Sequence, residues 1–123
     1  MKILIAEDDK DLLRLAETIL RASGHVVIKA LDASQILPGA QREKPDLILL
    51  DINMPGGKGS DFLVKLKRSS LTSNIQVIVV SGDTDPKLPA QVLQDGAEGF
   101  LPKPWKPENF IQELKKISPS LPW

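Results

Sequence analysis

A chain of 123 residues has room for one ordinary domain and not for two. Hydrophobic residues at 41% and charged residues at 26% describe a folded chain, and 16 basic residues against 16 acidic ones leave no field for nucleic acid or an anionic membrane. The absence of cysteine excludes disulfides, thiol nucleophiles and cysteine metal sites, and no apolar stretch approaches the ~20 residues of a membrane helix.

Five short apolar runs recur along the chain: Ile3-Leu4-Ile5-Ala6, Val26-Val27-Ile28, Leu47-Ile48-Leu49-Leu50, Val77-Ile78-Val79-Val80 and Phe100-Leu101. They are continuous rather than alternating, which predicts strands covered on both faces of a parallel sheet. The first intervening segment predicts a helix with Leu12, Leu15, Ala16, Ile19 and Leu20 on its inner face and Gly24 as its stop. In the second, Pro38-Gly39 predicts a helix that is short, broken or displaced. The third helix starts near Ser60, with Phe62, Leu63 and Leu66 inward. Pro86 and Pro89 predict a late, brief fourth helix, and Pro107 opens a fifth that carries Phe110, Ile111, Leu114 and Ile117. The alternation predicts a (βα)₅ α/β domain over residues 1–117, a doubly wound five-stranded parallel sheet of flavodoxin-like order 2-1-3-4-5. Residues 118–123 read as a short C-terminal tail. Met1-Lys2 running directly into Glu7 fits no signal peptide, so the expected location is the cytoplasm.

The polar residues gather at the strand ends. Glu7-Asp8-Asp9 follows strand 1, Asp51 ends strand 3, Ser81 ends strand 4 and strand 5 runs into Lys103. In open α/β sheets ligands bind beyond the carboxyl ends of the strands, where strand order reverses; here that is between strands 1 and 3. Carboxylates crowded there call for a cation, and without histidine or cysteine nearby an all-oxygen site suits Mg²⁺ or Mn²⁺. One carboxylate can then act as a nucleophile toward a phosphoryl group. Lys103, the Ser81 hydroxyl and loop N–H groups would face the charge that develops on its oxygens.

Four motifs resemble the receiver domain of two-component response regulators, chemotaxis receivers among them. They are Ile5-Ala6-Glu7-Asp8-Asp9; Pro45 to Pro55 around Asp51, with Gly59; Val80-Ser81-Gly82; and Asp95 to Pro104, with Phe100 and Lys103 inside it. The resemblance covers essentially the whole chain. It implies Asp51 as phosphoacceptor, with Ser81 and Lys103 as its catalytic companions. Glu7, Asp8, Asp51 and the Asn53 carbonyl are implied as the Mg²⁺ site, Glu7 acting through water. Ser81 and Phe100 fall on the switch positions, the Lys103–Pro104 bond is implied to be cis, and Asn53 and Asp83 sit where hydrolysis is tuned. Glu7, Ser81 and Phe100 stand where the family more often has Asp, Thr and Tyr.

The implied function is a phosphorylation-activated receiver rather than a metabolic enzyme. A histidine kinase or histidine phosphotransfer protein would supply the phosphoryl group, and the face of helix 4, strand 5 and helix 5 would signal to an unknown output partner. A homodimer through helices 4 and 5 is a further expectation; direct nucleic-acid or membrane binding by this segment is not. The chain is expected to be either a free-standing regulator or a piece of a larger one. The rival reading is a receiver fold serving as an unphosphorylated protein-binding scaffold, against which the complete acidic set counts. A haloacid-dehalogenase-type phosphatase would need Asp-x-Asp after strand 1, and a flavin's phosphate would be repelled by the acidic loop.

Elsewhere the residues read as ordinary structure. Asp9 caps the first helix. His25 is expected as a surface bystander. Gly56, Gly57 and Gly59 are expected to lend mobility to the loop after Asp51. Trp105 has two open readings, a partner contact or packing on the last helix.

Overall fold

Apolar runs without alternation make strands covered on both faces, and the computed structural model, which describes residues 1–123, has five strands, the three in the middle of the sheet buried along nearly their whole length and the two at its edges partly exposed. The strands β1 (Lys2–Ala6), β2 (Val26–Ala30), β3 (Leu47–Asp51), β4 (Gln76–Ser81) and β5 (Gly99–Pro102) alternate with five helices. These are α1 (Lys10–Ala22), α2 (Ile36–Glu43), α3 (Gly59–Arg68), α4 (Leu88–Gln94) and α5 (Phe110–Ile117). All pairings are parallel and the order is β2-β1-β3-β4-β5, the flavodoxin-like doubly wound sheet that the sequence predicts. Alternate residues of each strand feed two separate cores. Leu4, Ile48, Leu50, Val77 and Val79 meet α2, α3 and α4 on one face. Ile3, Ile5, Leu47, Leu49, Ile78 and Val80 meet α1 and α5 on the other.

The register aligns the carboxyl ends. Ala6 sits opposite Ala30 and Leu50, Asp51 opposite Val80, and Ser81 opposite Pro102. The residues that follow each strand therefore share one edge of the sheet.

Three local features differ from the sequence reading, and a fourth, the second helix, takes one of the forms expected of it. On α1 the buried residues are Leu13, Ala16 and Leu20, while Leu15 is exposed. The stripe is centred one residue later than expected, and Leu15 lies ~200° around the axis from Leu13. Helix α2 is short but neither broken nor displaced. Pro38 occupies its third position, where no N–H partner exists to be lost, and Gly39 lets the helix approach the sheet, with 3.1 Å between a built Cβ and Leu4 Cδ1. His25 is buried, with only 6% of its surface exposed. Residues 118–123 are packed rather than trailing: Leu121 and Trp123 lie on the α1/α5-side core, Ser118 is buried, and Ser120 Oγ is bonded to Gln76. Helix α4 is late and brief as expected, and Pro107 opens a single 3₁₀ turn before α5.

The glycines after Asp51 answer to local geometry. Gly56 has φ +93°, a conformation that L side chains rarely adopt, and a built Cβ would strike the Asp32 carboxylate. Gly59 packs flat on the backbone of Ile52, donating its N–H to the Ile52 carbonyl at 3.1 Å. A Cβ there would lie 2.7 Å from the Ile52 carbonyl carbon, a contact that no rotamer relieves. Gly59→Ala is expected to cost about 1–3 kcal/mol, seen as a lower urea midpoint at unchanged slope. An unchanged midpoint would show that the loop gives way instead.

Candidate functional site

Each side chain at the carboxyl edge is aimed by a backbone bond. The ladder runs one residue beyond β1, with Glu7 N–H donating to the Ala30 carbonyl at 3.1 Å. Lys103 N–H donates to the Ser81 carbonyl at 2.8 Å, which carries the end of β5 along β4. The Lys103–Pro104 bond is cis.

The Lys103 ammonium lies 2.6 Å from Glu7 Oε1 and 3.0 Å from Asp51 Oδ2, so two carboxylates share one cation. Each carboxylate is held by its other oxygen: Glu7 Oε2 accepts from Asp9 N–H at 3.2 Å, and Asp51 Oδ1 accepts from Asn53 N–H at 3.0 Å. Glu7 and Asp51 are both buried, whereas Asp8 faces solvent. Asp9 caps α1, accepting from the N–H groups of Asp11 and Leu12.

Burial is the foremost reason that the Glu7 carboxyl is pushed up to about 7; the Asp51 carboxylate beside it pushes the same way, against the pull of Lys103 and the Asp9 N–H. Burial pulls the Lys103 ammonium down, but its bonds to Glu7 and then Asp51 outweigh that and hold it above the usual lysine range. Glu7, Asp8 and Asp51 can bring carboxylate oxygens within 4.8 Å of one another. Three carboxylates that converge in this way make a hard, all-oxygen donor set, which fits Mg²⁺ or Mn²⁺.

Ser81 is fully buried. Its Oγ accepts from Asp83 N–H at 3.0 Å and from Asn53 Nδ2 at 3.4 Å, which ties it to the loops on either side. Its own proton remains available to donate. Asp83 is exposed, and its Oδ1 accepts from Asp85 N–H. Phe100 is half-buried on β5 and packs on the α2–α4 side of the sheet rather than among the carboxylates.

Two further contacts complete the site. Asn53, implied both as a carbonyl ligand and in the tuning of hydrolysis, also ties the Asp51 loop to Ser81 through its side-chain amide. Trp105 stacks on Phe110 of α5, with centroids 4.0 Å apart and planes at 27°, which decides between its two readings in favour of packing. Trp105 and Phe110 wall the apolar underside of Glu7 and Asp51 around a void of about 20 Å³. That is room for a single water, so larger ligands must approach from the open edge.

An open parallel sheet of this order, with clustered acids at its switch point, defines the class: a flavodoxin-like receiver fold. The sequence profile of the response regulator receiver domain matches residues 3–115, and the chain belongs to that family. Receiver domains of this family are signalling modules rather than metabolic enzymes. The chain is 29% identical over 116 residues to the phosphate regulon transcriptional regulatory protein PhoB of Escherichia coli, covering 94% of this chain and 51% of that protein. The PhoB of Pseudomonas aeruginosa is 32% identical over 117 residues, covering 94% and 50%. The DNA-binding response regulator MtrA of Mycolicibacterium smegmatis is 29% identical over 114 residues, covering 93% and 49%. The chain spans about half the length of these curated relatives. Among solved structures, the chemotaxis response regulator CheY4 of Vibrio cholerae superposes with a TM-score of 0.87 at 27% identity, covering 94% of this chain and 97% of that one. A CheY-like receiver domain protein from Methanospirillum hungatei gives 0.85 at 29% identity, covering 94% and 90%. No helix is long and apolar enough to cross a membrane.

Proposed function

We propose that this domain takes a phosphoryl group onto Asp51 from a histidine kinase or histidine phosphotransfer protein in the cytoplasm. The observation that carries the reading is the single Lys103 ammonium shared by Glu7 and Asp51, at 2.6 and 3.0 Å. An Asp51 carboxylate oxygen forms the new bond to phosphorus. The phosphorus–nitrogen bond to the donor imidazole breaks, and its electron pair stays on that nitrogen. Asn53 N–H holds Asp51 Oδ1 in place while this happens. The Lys103 ammonium and the Ser81 hydroxyl donate to phosphoryl oxygens, where charge develops. Glu7, Asp8, Asp51 and the Asn53 carbonyl would hold Mg²⁺, or Mn²⁺ in its place; the cation supplies positive charge opposite those oxygens.

Recruiting Ser81 draws on Asp83, whose N–H is bonded to its Oγ, and so moves the loop that leads into α4. Phe100 has no hydroxyl, so it responds by packing alone. The α4–β5–α5 face then presents a changed surface to an output partner or to a second copy of the chain. Asn53 and Asp83, two residues after Asp51 and Ser81, orient an attacking water in this reading and shorten the life of the acyl phosphate.

The test is intact-protein mass spectrometry after incubation with a small phosphodonor. One added phosphoryl group in Mg²⁺ and none in chelator is the expected result. No addition with any donor, in a folded chain that binds Mg²⁺, would favour the scaffold reading. A phosphoryl half-life of many hours would remove the hydrolytic role of Asn53 and Asp83.

A further inference from the structure

The end of the sheet opposite the carboxylates holds the only histidine of the chain. His25 stands immediately before β2, and 6% of its surface is exposed. Its Nδ1 lies 3.0 Å from the Met1 ammonium, an obligatory donor, so Nδ1 is the acceptor and the neutral ring carries its proton on Nε2. That Nε2–H has no partner. The imidazole meets the Trp123 indole in a T-shaped contact, with centroids 5.8 Å apart and planes at 89°. The indole in turn donates its N–H to the Ser118 carbonyl at 2.8 Å, and the buried Ser118 hydroxyl is a second polar group without a partner. One side chain therefore joins the amino terminus, the start of β2 and the segment after α5.

The charges that oppose a cation on this imidazole are the Met1 ammonium and Lys115 of α5. A proton added to Nδ1 would remove the acceptor of the Met1 bond and bury a cation between two others. The indole could offer a cation–π attraction in return, but that is worth ~0.5–2 kcal/mol, whereas burial and both neighbouring cations oppose the charged ring. We propose that His25 is a proton-sensitive latch: neutral, it holds residues 118–123 against the sheet, and on protonation it releases them. Release frees Leu121 and Trp123 from the core on the α1/α5 side and uncaps the carboxyl end of α5. It couples acidity to the segment that leaves the signalling face.

The sign of the effect follows from burial and the two cations, which hold His25 below the ordinary histidine value of 6.5. The docked state is fully favoured above that value and loses ground as pH falls below it toward the depressed value of the docked form. In a Trp105→Phe chain, Trp123 is the sole tryptophan, and its emission maximum and quenching by acrylamide can be followed from pH 8 to pH 5. A red shift whose midpoint lies below 6.5, tracks the single histidine resonance in NMR, leaves far-UV circular dichroism unchanged and disappears in His25→Gln is the expected result. Lys115→Gln, which removes one opposing charge from an exposed position, should move the midpoint to higher pH. A red shift that survives His25→Gln overturns the latch. So does a histidine that titrates at or above 6.5, a midpoint unmoved by Lys115→Gln, or an emission maximum that stays constant while the ring titrates.

Discussion

Asp51→Asn is expected to abolish phosphoryl addition and, at the same time, to make the folded chain more stable at pH 8. The first effect is chemical. An amide oxygen is a poor nucleophile toward phosphorus, and no other carboxylate of the site is both buried and held at one oxygen by the Asn53 N–H. The second effect comes from Glu7. Burial and then the neighbouring Asp51 hold its carboxyl up at about 7 in the folded chain, against an ordinary 4.5. A group whose value is raised by folding contributes stability that is fully present below its ordinary value and lost as pH rises through the folded one. Asp51→Asn removes the second cause and leaves Lys103 paired with Glu7 alone. The gain is therefore absent at pH 4, grows between about 4.5 and 7, and is complete above 7. It should amount to about 1–2 kcal/mol of the roughly 3 that the whole shift represents, since burial keeps its share. Urea midpoints of both chains at pH 4 and pH 8 test this; equal midpoints at pH 8 would contradict it. A site that is more stable without its nucleophile is one where carboxylates are crowded for a purpose other than holding the fold together.

The fold was legible because the sequence states it by composition of runs. Leu47-Ile48-Leu49-Leu50 has no polar residue to face water, and only a strand between two helical layers satisfies that. The site was legible for the same reason at one remove. Parallel strands in register bring whatever follows them to one edge, so Glu7, Asp51, Ser81 and Lys103 needed only to be strand-end residues to meet. What escaped depends on contacts between distant parts of the chain. Nothing near His25 announces that Trp123, at the other end of the sequence, seals it in. Nothing near Asn53 says that its amide reaches Ser81. Pro38-Gly39 left three outcomes open because the effect of a proline turns on position: a break inside a helix, harmless at the third residue. Leu13 and Leu15 differ by two residues and a face, a distinction that periodicity alone leaves open when leucines occupy both.

Lys103→Met should slow phosphoryl transfer to Asp51 by about 10²–10³-fold, the usual loss when one preorganised donor to developing negative charge is removed. Methionine keeps the length of the stem without its charge. Lys103 donates across to both Glu7 and Asp51, and in the proposed transfer its ammonium donates to the oxygens that gain charge. The variant should bind Mg²⁺ as well as the native chain or better, because the carboxylates remain and lose a competing cation. That opposition separates a catalytic lysine from a structural one. Initial rates of phosphoryl incorporation, measured across a Mg²⁺ titration, give the saturating rate and the apparent metal affinity independently. A saturating rate within threefold of native would take Lys103 out of the chemistry. A loss that is recovered merely by adding Mg²⁺ would show that the lysine organises the acids and does not act on the phosphoryl group.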